Sequence, residues 1–300
     1  MLICDTHADT LYRRAMHPDA PLDVTPKGLH QGGVSLQTMA LYVGGSPKLA
    51  DIRTAFDRML AEAQKLPGEG VEKLYDPRDA REGRRGFMLS VEGCDLLDNQ
   101  TELLPKWREM GVRMAALTWN YENCVGVPAK QDQNAPLKPF GRAAALEMRR
   151  LGIAVDTAHL NRRGFYDLLE LGIVPLASHS CCDALCPHFR NLTDDQLRAL
   201  FAAGGYVGVN FYPSFLSPSG EATLDTVCDH VLHMLALGGE GMIGFGSDFD
   251  GIERKPAGLD NPAALPALME RLRARGLDDK TLRGVAGESL LAYYDRIDPR

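Results

Sequence analysis

Short apolar runs of strand length alternate with longer segments of helical periodicity along most of the chain. Apolar runs of about four to eight residues are typical of buried strands, whereas apolar residues spaced three and four apart are typical of helices. The sequence predicts eight such strands, near residues 3, 38, 88, 115, 155, 175, 208 and 244. Strands joined by helical crossovers run parallel, and eight of them in about 250 residues is the number found in a (β/α)8 barrel.

The fold class predicted from this alternation is therefore α/β, a (β/α)8 TIM barrel. A doubly wound open sheet is the alternative, but no Gly-x-Gly-x-x-Gly motif follows the first strand. No linker and no internal repeat interrupts the pattern, so residues 1–300 are expected to form a single domain.

Helices are predicted where apolar residues recur at helical spacing, over residues 49–65, 103–110, 142–151 and 224–237. Two further helices are expected to begin near residues 161 and 194, and glycines follow the predicted ends of both. The polar stretch around Pro18 and Pro26 is expected to be a loop, and Gly44-Gly45 is expected to end the second strand. Two short helices are expected to finish the chain.

The composition is that of an ordinary globular protein, with 45% hydrophobic and 24% charged residues. The net charge of −7 argues against nonspecific nucleic-acid binding, which requires a basic surface. No apolar run approaches the length of a transmembrane helix, about 18 residues, and no basic-then-apolar leader is visible. The seven cysteines include no C-x-x-C pair, so we expect reduced thiols in a cytoplasmic protein.

Polar side chains follow the first predicted strand closely. His7 and Asp9 are two residues apart and therefore project to the same side of an extended chain. An imidazole beside a carboxylate is half of a site for a divalent metal ion. Asp5, two residues before His7, is better placed to support a ligand than to be one. The alternative for the whole stretch is that its polar groups cap a loop.

Four later strands are also followed by a histidine or a carboxylate at their carboxyl ends. The third, fifth, sixth and eighth predicted strands are followed by Glu92, His159, His179 and Asp248, respectively. The carboxyl ends of the strands meet at one mouth of a barrel, where barrel enzymes build their sites. Taken singly, each residue has an ordinary structural explanation, such as a hydrogen-bonded core histidine or a loop-capping aspartate. Because the pattern recurs, we favour a joint site for two metal ions that share one bridging carboxylate.

The remaining histidines are left outside this site. His230 and His233 lie three apart on a predicted helix, where packing or solvent exposure explains them. His17 and His30 are expected in loops, and His188 is likewise not included.

Five motifs, in this order along the chain, resemble those of the membrane (renal) dipeptidase family, a branch of the amidohydrolase superfamily. They are Asp5-Thr6-His7-Ala8-Asp9, Ser90-Val91-Glu92-Gly93, Asp156-Thr157-Ala158-His159, Ser178-His179-Ser180 and Gly244-Phe245-Gly246-Ser247-Asp248-Phe249-Asp250-Gly251. The resemblance extends from residue 2 to about residue 291, and the motifs are specific as a set. It implies a zinc-dependent dipeptidase that hydrolyses L-L and L-D dipeptides with two Zn²⁺ ions per subunit.

The same resemblance implies a role for each site residue. Five of them are implied as metal ligands. His7 and Asp9 would bind one zinc ion, and His159 and His179 would bind the other. Glu92 would bridge the two ions. Asp248 is implied as the acid/base that serves a metal-activated water. Arg190 matches the family arginine that binds the terminal carboxylate of the substrate, and its planar guanidinium suits a carboxylate. Without the resemblance, Arg190 would be assigned to the surface.

The chain departs from the family at one position. Many members carry a histidine after the fourth strand that contacts the scissile carbonyl, and Trp119 stands at that position here. An indole donates one hydrogen bond but cannot titrate or carry a positive charge. Stabilisation of the carbonyl oxygen is then expected to depend on zinc or on a neighbour such as Asn120, which leaves the substrate more open than the reaction type.

Two other functions stay open. Another hydrolase of the superfamily, such as a lactonase, amidase, deaminase or phosphotriesterase, could use the same metals without Arg190 as an anchor. A barrel that binds a ligand without catalysis is the second alternative, although all six metal and acid positions are present. The expected partner is a small dipeptide rather than nucleic acid or a membrane, and a homodimer stays open.

Overall fold

Eight parallel strands form a closed ring in this protein, whose computed structural model describes residues 1–44 and 48–298. In order around the ring they are β1 (Ile3–Asp5), β2 (Val34–Tyr42), β4 (Gly86–Glu92), β5 (Val112–Ala116), β6 (Ala154–Asp156), β7 (Leu176–Ser180), β8 (Tyr206–Val209) and β9 (Ile243–Phe245). The short strand β3 (Glu72–Lys73) pairs with β4 outside the ring. Pairing of β9 with β1 closes the barrel, which confirms the predicted (β/α)8 fold.

Helices connect the strands and complete the barrel. They are α1 (Thr10–Met16), α2 (Pro26–Gln31), α3 (Leu49–Ala63), α4 (Leu103–Glu109), α5 (Pro139–Arg150), α6 (Arg162–Glu170), α7 (Asp194–Ala202), α8 (Pro213–Leu216), α9 (Leu224–Ala236), α10 (Leu265–Ala274), α11 (Asp279–Arg283) and α12 (Ser289–Ile297). Within residues 1–44 and 48–298, none of the helices has the length and apolar character needed to cross a membrane.

The strand predictions agree with the structure more closely than the helix predictions do. Seven of the eight ring strands are centred within one residue of their predicted positions, whereas β7 is centred three residues later than predicted, on residue 178. The sequence pattern does not predict α1, α2 or α8. Pro26 begins α2 rather than breaking it, because a proline in the first helical turn needs no hydrogen-bond donor and Thr25 caps the helix. The chain ends with three α-helices rather than two, and Gly45 lies outside the described residues.

Helix α12 closes the end of the ring where the strands begin. The hydroxyls of its fully buried Tyr293 and Tyr294 donate to the carbonyls of Val174 and Arg113, which lie at strand starts. Their rings belong to one apolar cluster together with strand side chains that include Cys4, Leu36, Met88, Met114, Leu176 and Tyr206. The carboxyl ends of the strands, which carry the polar residues, therefore lie at the opposite and open mouth.

A group of charges around one buried arginine ties the end of α12 to the barrel. Arg113 is fully buried, and its guanidinium contacts Asp76 at 3.2 Å and Asp298 at 2.7 Å. The same guanidinium lies over the ring of Tyr294 at 5.2 Å. Arg78 also pairs with both carboxylates, at 2.7 Å from Asp76 and 3.4 Å from Asp298. The arginine is buried while its carboxylate partners are partly exposed, so these pairs neutralise a cation that is removed from water.

We expect Arg113→Met to lower the free energy of unfolding by about 1 kcal/mol, because Asp76 and the partly exposed Asp298 would each lose one of their two arginine partners. Urea denaturation followed by circular dichroism measures the change. Arg150→Met is the matched control, because Arg150 is exposed and pairs with Glu147 on a helix surface, and its unfolding midpoint should not move. Superimposable curves for the wild type and Arg113→Met would contradict a stabilising role of Arg113.

Candidate metal centre

Three imidazoles and three carboxylates from five strand ends meet at the open mouth of the barrel. The Nε2 atom of His7 lies 3.6 Å from Asp9 Oδ2, 3.7 Å from Glu92 Oε2 and 3.8 Å from Asp248 Oδ1. Two groups of these side chains are close enough to share a metal ion: His7, Glu92 and His179, and His7, Asp9 and Asp248. Neighbouring strand ends thus bring together residues that lie up to 241 positions apart in the chain.

Glu92, at the end of β4, stands between the two sides of this cluster. Its Oε2 faces His7, whereas its Oε1 lies 3.0 Å from His159 Nε2 and 3.7 Å from His179 Nε2. His159 and His179 approach each other through their Nε2 atoms at 3.0 Å. Each oxygen of one carboxylate therefore faces different imidazole nitrogens, which is the arrangement needed in a ligand that bridges two metal ions.

His159 and His179 are oriented by contacts at their Nδ1 atoms. Nδ1 of His159 lies 3.2 Å from Asn120 Oδ1, and Nδ1 of His179 lies 2.7 Å from Ser178 Oγ. The Ser178 hydroxyl donates its proton to Asp156 at 2.5 Å, so its oxygen accepts from His179. With Nδ1 protonated, Nε2 of each ring directs a lone pair toward the cluster, as a metal ligand requires.

Asp5 and Asp156 have equivalent positions at the ends of β1 and β6. Asp5 accepts hydrogen bonds from the backbone N–H of His7 at 3.2 Å and from the N–H and hydroxyl of Ser247 at 2.9 and 2.5 Å. Asp156 accepts from the N–H and hydroxyl of Ser178 at 2.9 and 2.5 Å. Each aspartate fixes the turn after its strand to a neighbouring strand end, which agrees with the expectation that Asp5 supports His7.

Asp248 lies in a constrained turn after β9. Its φ of +64° is in the left-handed region, which aspartate adopts far less often than glycine does. Its backbone N–H donates to the His7 carbonyl at 3.1 Å, and Asn210 Nδ2 donates to its Oδ2 at 3.0 Å. A Cβ on Gly251 would lie 2.1 Å from Asp9 Oδ2 and 2.6 Å from Asp248 Oδ1. This turn therefore needs glycine at position 251 to admit both carboxylates.

The carboxylates load the cluster with negative charge. Burial and the neighbouring charges of Asp9 and Asp248 raise the pKa of Glu92 well above its usual value. Burial raises the pKa of Asp248 to about 6, although the positive charge of His7 opposes the rise. Burial alone would lower the pKa of His7, but the charges of Glu92, Asp9 and Asp248 outweigh it and raise the pKa to about 10. The three carboxylates therefore favour a protonated His7.

The other two histidines behave in the opposite way. Burial, together with the positive charges of Arg190 and His7, holds the pKa values of His159 and His179 well below the usual histidine value. Both rings are therefore neutral at pH 7. Neutral imidazole is the form that binds metal ions.

Several buried atoms at this mouth lack partners. Within the described part of the chain, His7 Nε2, Asp9 Oδ1 and Arg190 Nη1 are buried and have no hydrogen-bond partner. Unpaired buried polar atoms are uncommon and costly. Imidazole nitrogens and carboxylate oxygens are the ligands of zinc sites, and a cation beside His7 and Asp9 would satisfy both atoms. The residues present therefore fit a divalent metal.

Arg190 is buried, with only 4% of its surface exposed, although the residue pattern alone would assign it to the surface. Its Nη2 donates to the His179 carbonyl at 3.4 Å, and its guanidinium lies over the ring of Phe215 at 5.5 Å. Burial lowers the pKa of Arg190 to about 10, so the guanidinium is still charged at pH 7. A buried cation with a free Nη1 is suited to an anionic ligand.

One cavity of about 430 Å³ joins the cluster to Arg190, and aromatic side chains cover much of its wall: Tyr12, Tyr42, Trp119, Phe189, Tyr212 and Phe215. Trp119 packs edge-on against Tyr42 at 5.0 Å, and its ring lies 6.2 Å from that of His159. Asn120, next in the chain, has its Oδ1 engaged by His159 while its side chain lines the cavity. Its Nδ2 therefore remains available to a ligand.

The structure brings all nine predicted site residues together, with His7 beneath the cavity and the other eight along its wall. Asn210 was missed, although it follows β8 directly and carries the same strand-end signal as the others. His17 and His30 were expected in loops, but His17 is the C-cap residue of α1 and lines the cavity, and His30 lies within α2. His230 is fully buried and hydrogen-bonded on both ring nitrogens, which agrees with the packing explanation.

Comparison with known proteins places these features in a family. The sequence profile of the membrane dipeptidase family, peptidase family M19, matches residues 1–297. Two uncharacterized dipeptidases of Schizosaccharomyces pombe are similar in sequence. One is 36% identical over 212 residues, which are 69% of this chain and 52% of that relative. The other is 33% identical over 224 residues, which are 72% of this chain and 54% of that relative. The chain thus spans about half the length of these curated relatives.

Solved structures of similar length match the whole barrel. A metallo peptidase from Rhodobacter sphaeroides, liganded with a phosphinate mimic of the dipeptide L-Ala-D-Ala, is 25% identical with a TM-score of 0.92, and the match covers 99% of each chain. The metallo peptidase dipeptidase AC is 26% identical with a TM-score of 0.91, over 99% of this chain and 98% of that one. The family resemblance in the five motifs is confirmed, and the chain belongs to the membrane dipeptidase family, peptidase family M19.

Proposed function

We propose that this protein is a metal-dependent dipeptidase. The observation that carries the proposal is one cavity in which the buried, incompletely paired guanidinium of Arg190 lies across from a cluster of imidazoles and carboxylates. A dipeptide has a free carboxylate for the guanidinium and a peptide carbonyl for the cluster within one short molecule. The cavity volume of about 430 Å³ suits a small ligand of this kind.

Two Zn²⁺ ions are the cofactors that we propose. His7 and Asp9 would hold one ion, His159 and His179 the other, and Glu92 would be shared, because its two oxygens face the two histidine groups separately. When bound, the ions would lower the pKa of a water molecule and polarise the peptide carbonyl.

Asp248 is proposed as the group that moves the proton. Asn210 holds its Oδ2, so that Oδ1 stays directed toward His7 and the cluster. From this position it would accept a proton from the attacking water and return it to the leaving amine. Burial raises the pKa of this carboxylate above its usual value, which suits a group that must hold a proton briefly.

Arg190 is proposed to bind the terminal carboxylate of the dipeptide. The contact with Phe215 holds its planar guanidinium at the cavity wall, and its Nη1 has no partner within the described part of the protein. A guanidinium in this position can form two parallel hydrogen bonds to a carboxylate. A neutral lactone or phosphotriester has no terminal carboxylate for such a group to bind. The dipeptide mimic bound by the Rhodobacter sphaeroides relative supports L-D dipeptides as substrates beside L-L dipeptides.

We expect Glu92→Ala to reduce zinc from about two ions per chain to one or fewer, because the shared ligand of both ions would be lost. Metal analysis after desalting of the zinc-loaded protein measures the content. Glu253→Ala is the control, since Glu253 is an exposed carboxylate at the rim of the same cavity and its loss should leave the zinc content unchanged. Retention of two tightly bound ions by Glu92→Ala would rule out the bridging role.

Asp248→Asn should keep its zinc and lose about 100-fold or more in kcat, because an amide cannot accept the proton of the water. Hydrolysis of an alanine-containing dipeptide, followed by release of free amine, gives the rate, and metal analysis of the same sample gives the content. Asp260→Asn, at an exposed position, should leave the rate unchanged. An Asp248→Asn protein with wild-type turnover would remove Asp248 from the reaction.

Arg190→Gln should raise KM for dipeptides by about 10-fold or more, because a charge-assisted pair of hydrogen bonds is lost. The comparison that isolates the contact uses one dipeptide with a free C-terminal carboxylate and the same dipeptide as its C-terminal amide. The wild type should strongly prefer the free acid, and Arg190→Gln should treat the two more equally. An undiminished preference in the variant would point away from Arg190 as the carboxylate anchor.

A further inference from the structure

Three polar side chains on helix α1 form a row that leads outward from the cluster of proposed metal ligands. Asp9, Arg13 and His17 are spaced four residues apart, and backbone hydrogen bonds join them in series, from Arg13 N–H to Asp9 at 3.0 Å and from His17 N–H to Arg13 at 2.9 Å. Residues at this spacing lie on one helix face, about one turn of 5.4 Å apart. All three side chains line the cavity. The row therefore leads from a proposed zinc ligand to the cavity rim.

Arg13 carries a charge that has no counterion among the described residues. Its Nε donates to the Pro21 carbonyl at 2.9 Å, which fixes the start of the guanidinium. Among residues 1–44 and 48–298, no carboxylate lies within ion-pair distance of Arg13, and its two Nη groups have no hydrogen-bond partner. The adjacent Arg14, by contrast, pairs with Glu62 at 3.1 Å and with Glu69 at 2.5 Å.

The acidic groups nearest to this part of the cavity do not neutralise Arg13 either. The carboxylate of Asp250 is occupied, because it accepts the Thr10 hydroxyl at 2.7 Å and the Asp23 N–H at 2.6 Å. Glu253 lies at the exposed rim and forms no ion pair with Arg13. A half-buried guanidinium inside a ligand cavity, with free donors and no counterion, is suited to an anionic group of the ligand.

The position of Arg13 indicates which part of the substrate it meets. Arg190 follows β7, whereas α1 follows β1, and the two strands are three places apart in the ring of eight. With the terminal carboxylate on Arg190 and the peptide bond over the cluster, the N-terminal residue lies on the α1 side. Its side chain then points toward the turn of α1 above Asp9, where Arg13 lies.

We propose that Arg13, with His17 at the outer edge, binds the side-chain carboxylate of an N-terminal aspartate or glutamate, so that the preferred substrates are acidic dipeptides of the form Glu-Xaa or Asp-Xaa. This inference rests on the proposed dipeptidase function and specifies its substrate class. The aromatic side chains of Phe189, Tyr212 and Phe215 around Arg190 favour an apolar residue at the C-terminal position.

The test compares Glu-Leu with the isosteric Gln-Leu, each with L- and with D-leucine, on the zinc-loaded protein. The wild type should cleave the glutamyl dipeptide with a kcat/KM about 10-fold or more above that of the glutaminyl dipeptide, mainly through KM. In Arg13→Gln the ratio should fall to near one, and Arg13→Lys should restore part of it. Because the readout is a ratio on one preparation, partial misfolding of a variant does not affect it.

Arg14→Gln is the matched control, since Arg14 is the next residue on the same helix and is paired with Glu62 and Glu69; its ratio should equal that of the wild type. A wild-type ratio near one, or a high ratio that persists in Arg13→Gln, overturns the inference. If no dipeptide is cleaved, the proposed function fails separately. Isothermal titration of the zinc-loaded protein with the same two dipeptides then decides, and equal affinities or binding of neither overturns the role of Arg13.

Discussion

The crowding of three carboxylates and three imidazoles at one barrel mouth is the constraint on which the rest of the structure depends. Like charges at this separation repel each other strongly when they are removed from water. A proton on His7 offsets part of the repulsion, but Asp9 Oδ1 and His7 Nε2 still lack partners. Divalent cations would offset much more, and the parallel barrel is a scaffold that delivers ligands from five separate strands to one point.

Not every buried acid at this mouth faces that point. Asp5 accepts hydrogen bonds from the N–H and hydroxyl of Ser247, and Asp156 accepts them from the N–H and hydroxyl of Ser178. These bonds fix the backbone and leave the two carboxylates unsuited to bind a metal ion. Among residues 1–44 and 48–298, Glu92 has no such donors, and its carboxylate oxygens face imidazole nitrogens. The distinction between a supporting and a ligating carboxylate is therefore set by the hydrogen-bond donors nearby rather than by burial, since all three side chains are less than 5% exposed.

The barrel and the cluster of candidate metal ligands could be predicted because both depend on the alternation of apolar strand runs and helices along the sequence. Strand ends are visible as the points where an apolar run stops, and the residues that follow them meet in three dimensions. The environment of Arg190 was not visible in this way, because it depends on how the loop after β7 folds back under Phe215. The role of α1 was hidden too, since the prolines around it indicate a loop, and the groups on its inner face become neighbours of Asp9 only once the helix forms. Asn210 was visible in principle and was missed.

Trp119 limits the interactions that this side of the cavity can make with the carbonyl oxygen of a bound substrate. Its ring is held between Tyr42 and the backbone at Gly44, where a Cβ would lie 2.4 Å from the tryptophan Cβ, so the indole cannot easily turn away. An indole N–H is a fixed neutral donor and adds no positive charge to the oxygen of the breaking bond. In the proposed reaction, positive charge near that oxygen would come instead from metal ions held by the cluster, while Asn120 keeps a free Nδ2 that can donate. In the proposed dipeptidase reaction, a tryptophan in place of an ionisable group would leave the electrostatic stabilisation to the metal ions and would leave this wall to select the shape of the substrate.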